Sequence, residues 1–130
     1  MNVLDRLSPE RRGAFQRIVA TLRERGRRRG DTVTTRAGGA WVAFHSARAG
    51  RVFAEVRPSR NGLQAFLLPP RDELRDPRGL SRPAPGSQGW GWFRTKVSLP
   101  DGDVPAAVSL LTQSLDYAAR LPPPTRRRSR

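Results

Sequence analysis

The chain predicts an α+β domain. A four-stranded antiparallel sheet carries an N-terminal and a C-terminal helix on one face, in the order α-β-β-β-loop-β-α. Three observations lead there. Residues 52–68, VFAEVRPSRNGLQAFLL, read as two strands joined at a tight turn. Apolar stripes with helical spacing stand near both ends of the chain. Two further β-patterned runs, around residues 41–45 and 92–99, flank the central pair.

The first helix is expected over residues 8–25. Ser8 caps it, Pro9 suits the first helical position, and Glu10 favours the positive end of the dipole. Phe15, Ile18, Val19 and Leu22 form its apolar stripe, and Gly26 is the expected stop. Thr32 to Thr35 is β-prone but short. Trp41 to His45 is a better strand, with Trp41, Ala43 and His45 on one face and Val42 and Phe44 on the other. A turn at Ala49-Gly50 leads into the central hairpin.

In that hairpin Val52, Ala54 and Val56 alternate with Phe53, Glu55 and Arg57. Pro58 lacks an N–H, so the strand ends there or runs where no donor is needed. Asn61-Gly62 tolerates the positive φ of a type I′ turn, and Leu63 to Leu68 reads as a strand buried on both faces. Residues 69–91 are rich in proline and glycine and predict irregular structure, with one helical turn at Asp72 to Leu74. In the following strand Trp92, Arg94, Lys96 and Ser98 alternate with Phe93, Thr95, Val97 and Leu99. Asp103 caps a closing helix over residues 104–120, whose stripe is Val104, Val108, Leu111, Leu115 and Ala118. Leu121-Pro122 ends it. The expected organisation is a single domain over residues 1–121 and a disordered basic tail over 122–130.

The formal charge is +14 across 130 residues, and its distribution is uneven. Residues 1–30 hold nine arginines against three carboxylates, and residues 122–130 hold four arginines and no acid. The body between them nets only +4. Of the 25 basic residues all but Lys96 are arginine, which forks onto phosphate or carboxylate. The absence of cysteine excludes disulfides and thiolate metal sites, and a single histidine, His45, excludes multi-histidine sites. No apolar run approaches a membrane span of roughly 18 residues, and no signal-like apolar region opens the chain. A cytoplasmic protein with no membrane partner is expected.

Several segments together resemble a bacterial family catalogued as "domain of unknown function 5655". They are Trp41-Val42-Ala43-Phe44, Val52-Phe53-Ala54-Glu55-Val56, the strand around Leu63 to Leu68, Asp76-Pro77-Arg78-Gly79-Leu80, Gly89-Trp90-Gly91-Trp92, and the closing helix with Leu111 and Ser114. The resemblance spans about residues 40–120. The stretch from Trp92 into the last helix is also similar to YjbR-type domains, which have a frataxin-like layout and have been proposed to bind DNA. These resemblances imply a fold and no reaction, and they do not extend to the arginine-rich ends.

Catalytic chemistry finds little support. His45 is the only imidazole and falls on a predicted strand, so no base–nucleophile pair is evident. Asp72, Glu73 and Asp76 cluster carboxylates, but Arg71, Arg75 and Arg78 among them favour ion pairs over a metal. No GxxxxGK[ST] or GxGxxG loop occurs. The expectation is a non-catalytic domain without cofactor or metal that binds nucleic acid, DNA or RNA, with little sequence preference. Arg27, Arg28, Arg29, Arg126, Arg127, Arg128 and Arg130 form two basic runs for phosphates. Trp92, beside Arg94 and Lys96, offers a stacking platform. Asp76, Arg78 and Trp90 mark the long loop as a second place for a ligand. The alternative is a protein-interaction or small-ligand module with an acidic protein partner.

Overall fold

The computed structural model describes residues 2–60, 62–85, 92–100 and 103–122. Two α-helices, α1 (Pro9–Arg27) and α2 (Val104–Arg120), flank six strands. The strands are β1 (Val33–Ala37), β2 (Val42–Ser46), β3 (Arg51–Ser59), β4 (Gly62–Leu67), β5 (Ser81–Pro83) and β6 (Thr95–Pro100). They form one sheet in the order β1-β2-β3-β4-β6-β5, antiparallel at every pairing. The fold is α+β with an antiparallel sheet, and the expected four strands are six.

The two strands beyond the expected four, one of them over the short β-prone run at Thr32 to Thr35, owe their existence to partners. β1 carries only Val33 and Ala37 as apolar residues, and its ladder with β2 from Val33↔Ser46 to Ala37↔Val42 holds it extended. β5 lies inside the stretch expected to be irregular. It contains Arg82 and Pro83, and only pairing with Val97, Lys96 and Thr95 of β6 makes it a strand. Both are edge strands, where short length and proline are tolerated. The expected helical turn near Asp72 is a 3-10 turn, Arg71–Glu73.

The hairpin of β3 and β4 forms, but its turn is displaced. Gly62 pairs with Ser59 on one side and Pro100 on the other, so it belongs to the strand and not to the turn. Asn61 lies outside the described residues. β3 runs through Pro58 because it outreaches β2, whose ladder stops at Val42↔Val56. At Pro58 only the β4 side is paired, so the missing N–H is not needed. A bulge separates Phe44↔Ala54 from His45↔Val52, leaving Phe53 as the extra residue on β3. Simple alternation puts Phe53 beside Glu55 and Arg57 on the outer face. The bulge turns it inward instead, where it is fully buried against Phe44 at 5.9 Å between ring centroids.

The helices cover the face lined by Val42, Phe44, Ala54, Val56, Ala65, Leu67, Val97 and Leu99. α1 contributes Ala14, Phe15, Ile18 and Leu22, and Phe15 meets Phe44 edge-on at 5.9 Å. Gly26 does not stop the helix. It is buried, and a Cβ there would lie 2.7 Å from Val33 Cγ2, so its size lets α1 lie against β1. The turn after the helix is made at Gly30, with φ +72°. α2 is capped as expected, Asp103 Oδ1 accepting from the N–H of Ala106 at 3.2 Å. Its buried residues run almost round the helix, from Ala107 through Leu110, Leu111, Gln113 and Ser114 to Ala118, because it is wedged between α1, the sheet and the segment after β4.

Two buried hydroxyls complete the frame. Ser114 Oγ donates to the carbonyl of Phe53 at 2.5 Å and accepts from the N–H of Leu68 at 3.0 Å. It thereby satisfies the backbone groups just past the last rung between β3 and β4, Ala54↔Leu67. Thr95 Oγ1 donates to the carbonyl of Pro69 at 2.7 Å and ties β6 to the end of β4.

Candidate nucleic-acid interface

Strand alternation and register assign the remaining side chains to the opposite face, over which no described helix packs. One continuous row crosses all six strands through directly paired residues: Arg36, Ala43, Glu55, Phe66, Lys96 and Arg82. A neighbouring row carries Arg57, Gln64 and Ser98. Arg94 precedes β6 but continues its ladder, donating its N–H to Leu67 and accepting from that of Ala84. It therefore keeps the alternation with Lys96. Trp92 stands just before it and is 62% exposed, the most exposed large apolar side chain described.

This face thus gathers Arg36, Arg57, Arg82, Arg94 and Lys96, with Glu55 as the one carboxylate among the described residues of its rows. The expected trio of Trp92, Arg94 and Lys96 does lie on the solvent side. Its opposite parity, Phe93, Thr95, Val97 and Leu99, is buried. Arg36, Arg57 and Arg82 were not anticipated. Their parity in β1, β3 and β5 is the local sign, but only the sheet order brings the three strands together with β6.

Phe66 is 1% exposed although it points to the uncovered face. The Arg57 guanidinium lies over its ring, 4.9 Å from the centroid, and donates through Nε to Gln64 Oε1 at 3.2 Å. Arg57 itself remains exposed.

The first basic run is less open than the sequence suggests. Arg27 and Arg28 both pair with Glu24, three and four residues back and so about one turn away on α1. Arg29 pairs with Asp116 of α2 and its carbonyl accepts from Arg48 at 2.6 Å. The run is thus opposed by carboxylates, and Arg29 joins the ends of the two helices. All three side chains are exposed, and exposed pairs of this kind exchange readily with other anions. Arg126, Arg127, Arg128, Arg130 and Trp90 lie outside the described residues, as does the expected basic tail from residue 123 onward.

Two of the long-loop residues make contacts within the fold. Asp76 accepts from the N–H groups of Leu80 at 3.0 Å and Ser81 at 2.8 Å and so shapes the turn into β5. Burial opposes its charge, but those N–H groups, the Ser81 hydroxyl and the charge of Arg71 outweigh it, and its carboxyl titrates below the usual aspartate range. Arg78 pairs with Asp103, the cap of α2. Both loop residues thus have partners within the fold, and the Arg78 side chain remains exposed. No group of three or more potential metal ligands occurs among the described residues, and no described helix is long and apolar enough to cross a membrane.

Comparison with protein-family profiles, curated proteins and solved structures returns no match. The geometry of the open face carries the functional reading.

Proposed function

We propose that the chain is a non-catalytic nucleic-acid-binding domain of low sequence preference, and that the open face of its sheet is the binding surface. The supporting observation is the collection of five cations around a single carboxylate on the uncovered face, beside an exposed tryptophan. Cations of this kind release counterions from phosphates, and an exposed ring on a sheet accepts an unstacked base. The none-too-specific character follows from the same inventory. A sheet face of arginines offers charge and stacking without an ordered code of donors and acceptors. The basic runs at the two ends, Arg27 to Arg29 and Arg126 to Arg130, add charge to the approach and no selectivity.

The test is fluorescence anisotropy with single-stranded DNA, RNA and duplex DNA over a salt series. Log affinity should fall linearly with log salt. Replacing Arg94 and Lys96 together with serine should lower the slope on single strands by about 1.4, or about 0.7 per lost contact. Replacing Arg23 and Arg25, exposed on α1 and away from the sheet, should change it less. Absence of binding to all three nucleic acids at low salt would reject the proposal and favour an acidic protein as the partner.

A further inference from the structure

The arrangement of Arg57, Phe66 and Gln64 has no counterpart in the reading from charge alone. Arg57 and Phe66 are diagonal neighbours across the central strands, since Arg57 pairs with Gln64 and Glu55 with Phe66. The guanidinium rests on the ring at 4.9 Å, and Gln64 holds its Nε at 3.2 Å. The inner side of the cation is thereby held against the protein by the ring and the Gln64 amide. The side chain stays exposed, so the other side faces solvent. A guanidinium held in place over an aromatic ring is a stacking surface as much as a charge, and bases stack on arginine planes as they do on aromatic rings.

Resting on the nucleic-acid reading, we infer that Arg57 is a second base-stacking platform, preassembled on Phe66, and that the ligand is single-stranded. Trp92 is the first platform. Along the line of β6 and the residues leading into it, Lys96 and Arg94 fall between the row of Arg57 and Trp92, placed to meet the connecting phosphates. From Arg57 to Arg94 the face extends two strand spacings sideways and four residues along, about 17 Å, the length of about five stacked nucleotides. In a duplex the base faces are already stacked on one another, so neither platform can be used. Duplexes are left with phosphate contacts alone.

The discriminating variant is Arg57→Lys. It keeps the positive charge and the methylenes that cover Phe66, and it loses the plane and the Nε bond to Gln64. Binding is measured by anisotropy with a thymidine strand of about eight nucleotides, an abasic strand of the same length and a duplex, and folding by the thermal midpoint. The expected result is a loss of about tenfold on the thymidine strand, the size of one base stack, with abasic-strand and duplex affinities, salt slope and midpoint little changed. Trp92→Ala should reduce the same preference for thymidine over abasic strand. Wild-type binding to the thymidine strand that survives Arg57→Lys would overturn the platform and leave the nucleic-acid reading standing. Equal losses on all three ligands would also overturn it, since that result assigns Arg57 to charge alone. Failure of the wild type to bind any of them would overturn both.

Discussion

The side-chain amide of Gln113 pairs with the main chain of Arg75 in both directions. Its Oε1 accepts from the Arg75 N–H at 2.7 Å, and its Nε2 donates to the Arg75 carbonyl at 3.0 Å. Gln113 thus acts as one rung of a strand ladder, supplied by α2 to a segment that has no strand of its own at that point. Gln113→Ala should destabilise the domain by about 1–3 kcal/mol, because two part-buried backbone groups lose their partner. Urea denaturation measures the loss. Hydrogen exchange should quicken at Arg75 before it does in the sheet. Unchanged exchange at Arg75 would show that other contacts hold the loop.

Ser114 performs a similar service deeper in the core. Ser114→Ala removes the partner of both the Phe53 carbonyl and the Leu68 N–H. With both groups fully buried, the expected cost is about 2–4 kcal/mol in urea denaturation, larger than for Gln113→Ala. A cost below about 0.5 kcal/mol would mean that the strand ends relax to satisfy each other.

Acid stability should depend on Asp76. Its carboxyl titrates below its ordinary value of 3.8 in the folded state, so it favours folding most fully above that value. The contribution declines as pH falls through the range between the unfolded and the lower folded value, and it vanishes below both. Asp76→Asn should therefore be less stable than wild type at neutral pH, with the gap closing below about pH 4. A gap of constant size down to pH 2 would assign the effect to lost hydrogen-bond geometry instead.

Gly26 tests close approach between helix and sheet. Alanine has the higher helix propensity, yet Gly26→Ala should destabilise by about 1–3 kcal/mol because its methyl group would press on Val33 Cγ2. The penalty should shrink in a Val33→Ala background, and the double-mutant cycle measures the coupling. Additive costs would place the strain elsewhere.

The regular elements with their own hydrophobic period were legible in the sequence. Ser8, Pro9 and Asp103 mark the helix starts, and the parity of Phe93 to Leu99 sorts buried from exposed along β6. What escaped was set by partners distant in sequence. Ser81 to Pro83 has no β-pattern and becomes a strand only because β6 lies beside it. Phe53 shares parity with Glu55 and Arg57, and a bulge against β2 reverses it. Gly26 looks like a terminator until Val33 is seen to press against it. The candidate surface divides in the same way. Trp92, Arg94 and Lys96 lie within five residues of one another and were visible. Arg36, Arg57 and Arg82 join them only through the order of strands across the sheet.

The two margins of the sheet differ in a manner that bears on self-association. β1 offers five residues of extended backbone, Val33–Ala37, whereas β5 offers three, Ser81–Pro83, and the last has no N–H to give. In the language of polymerisation the folded domain is a monofunctional monomer, with one competent end and one blocked. Edge-to-edge growth can join two copies through their β1 strands and then terminates, since both remaining ends are blocked. The geometry that makes fibrils from two-ended sheets is denied to this fold by a single short strand ending in Pro83.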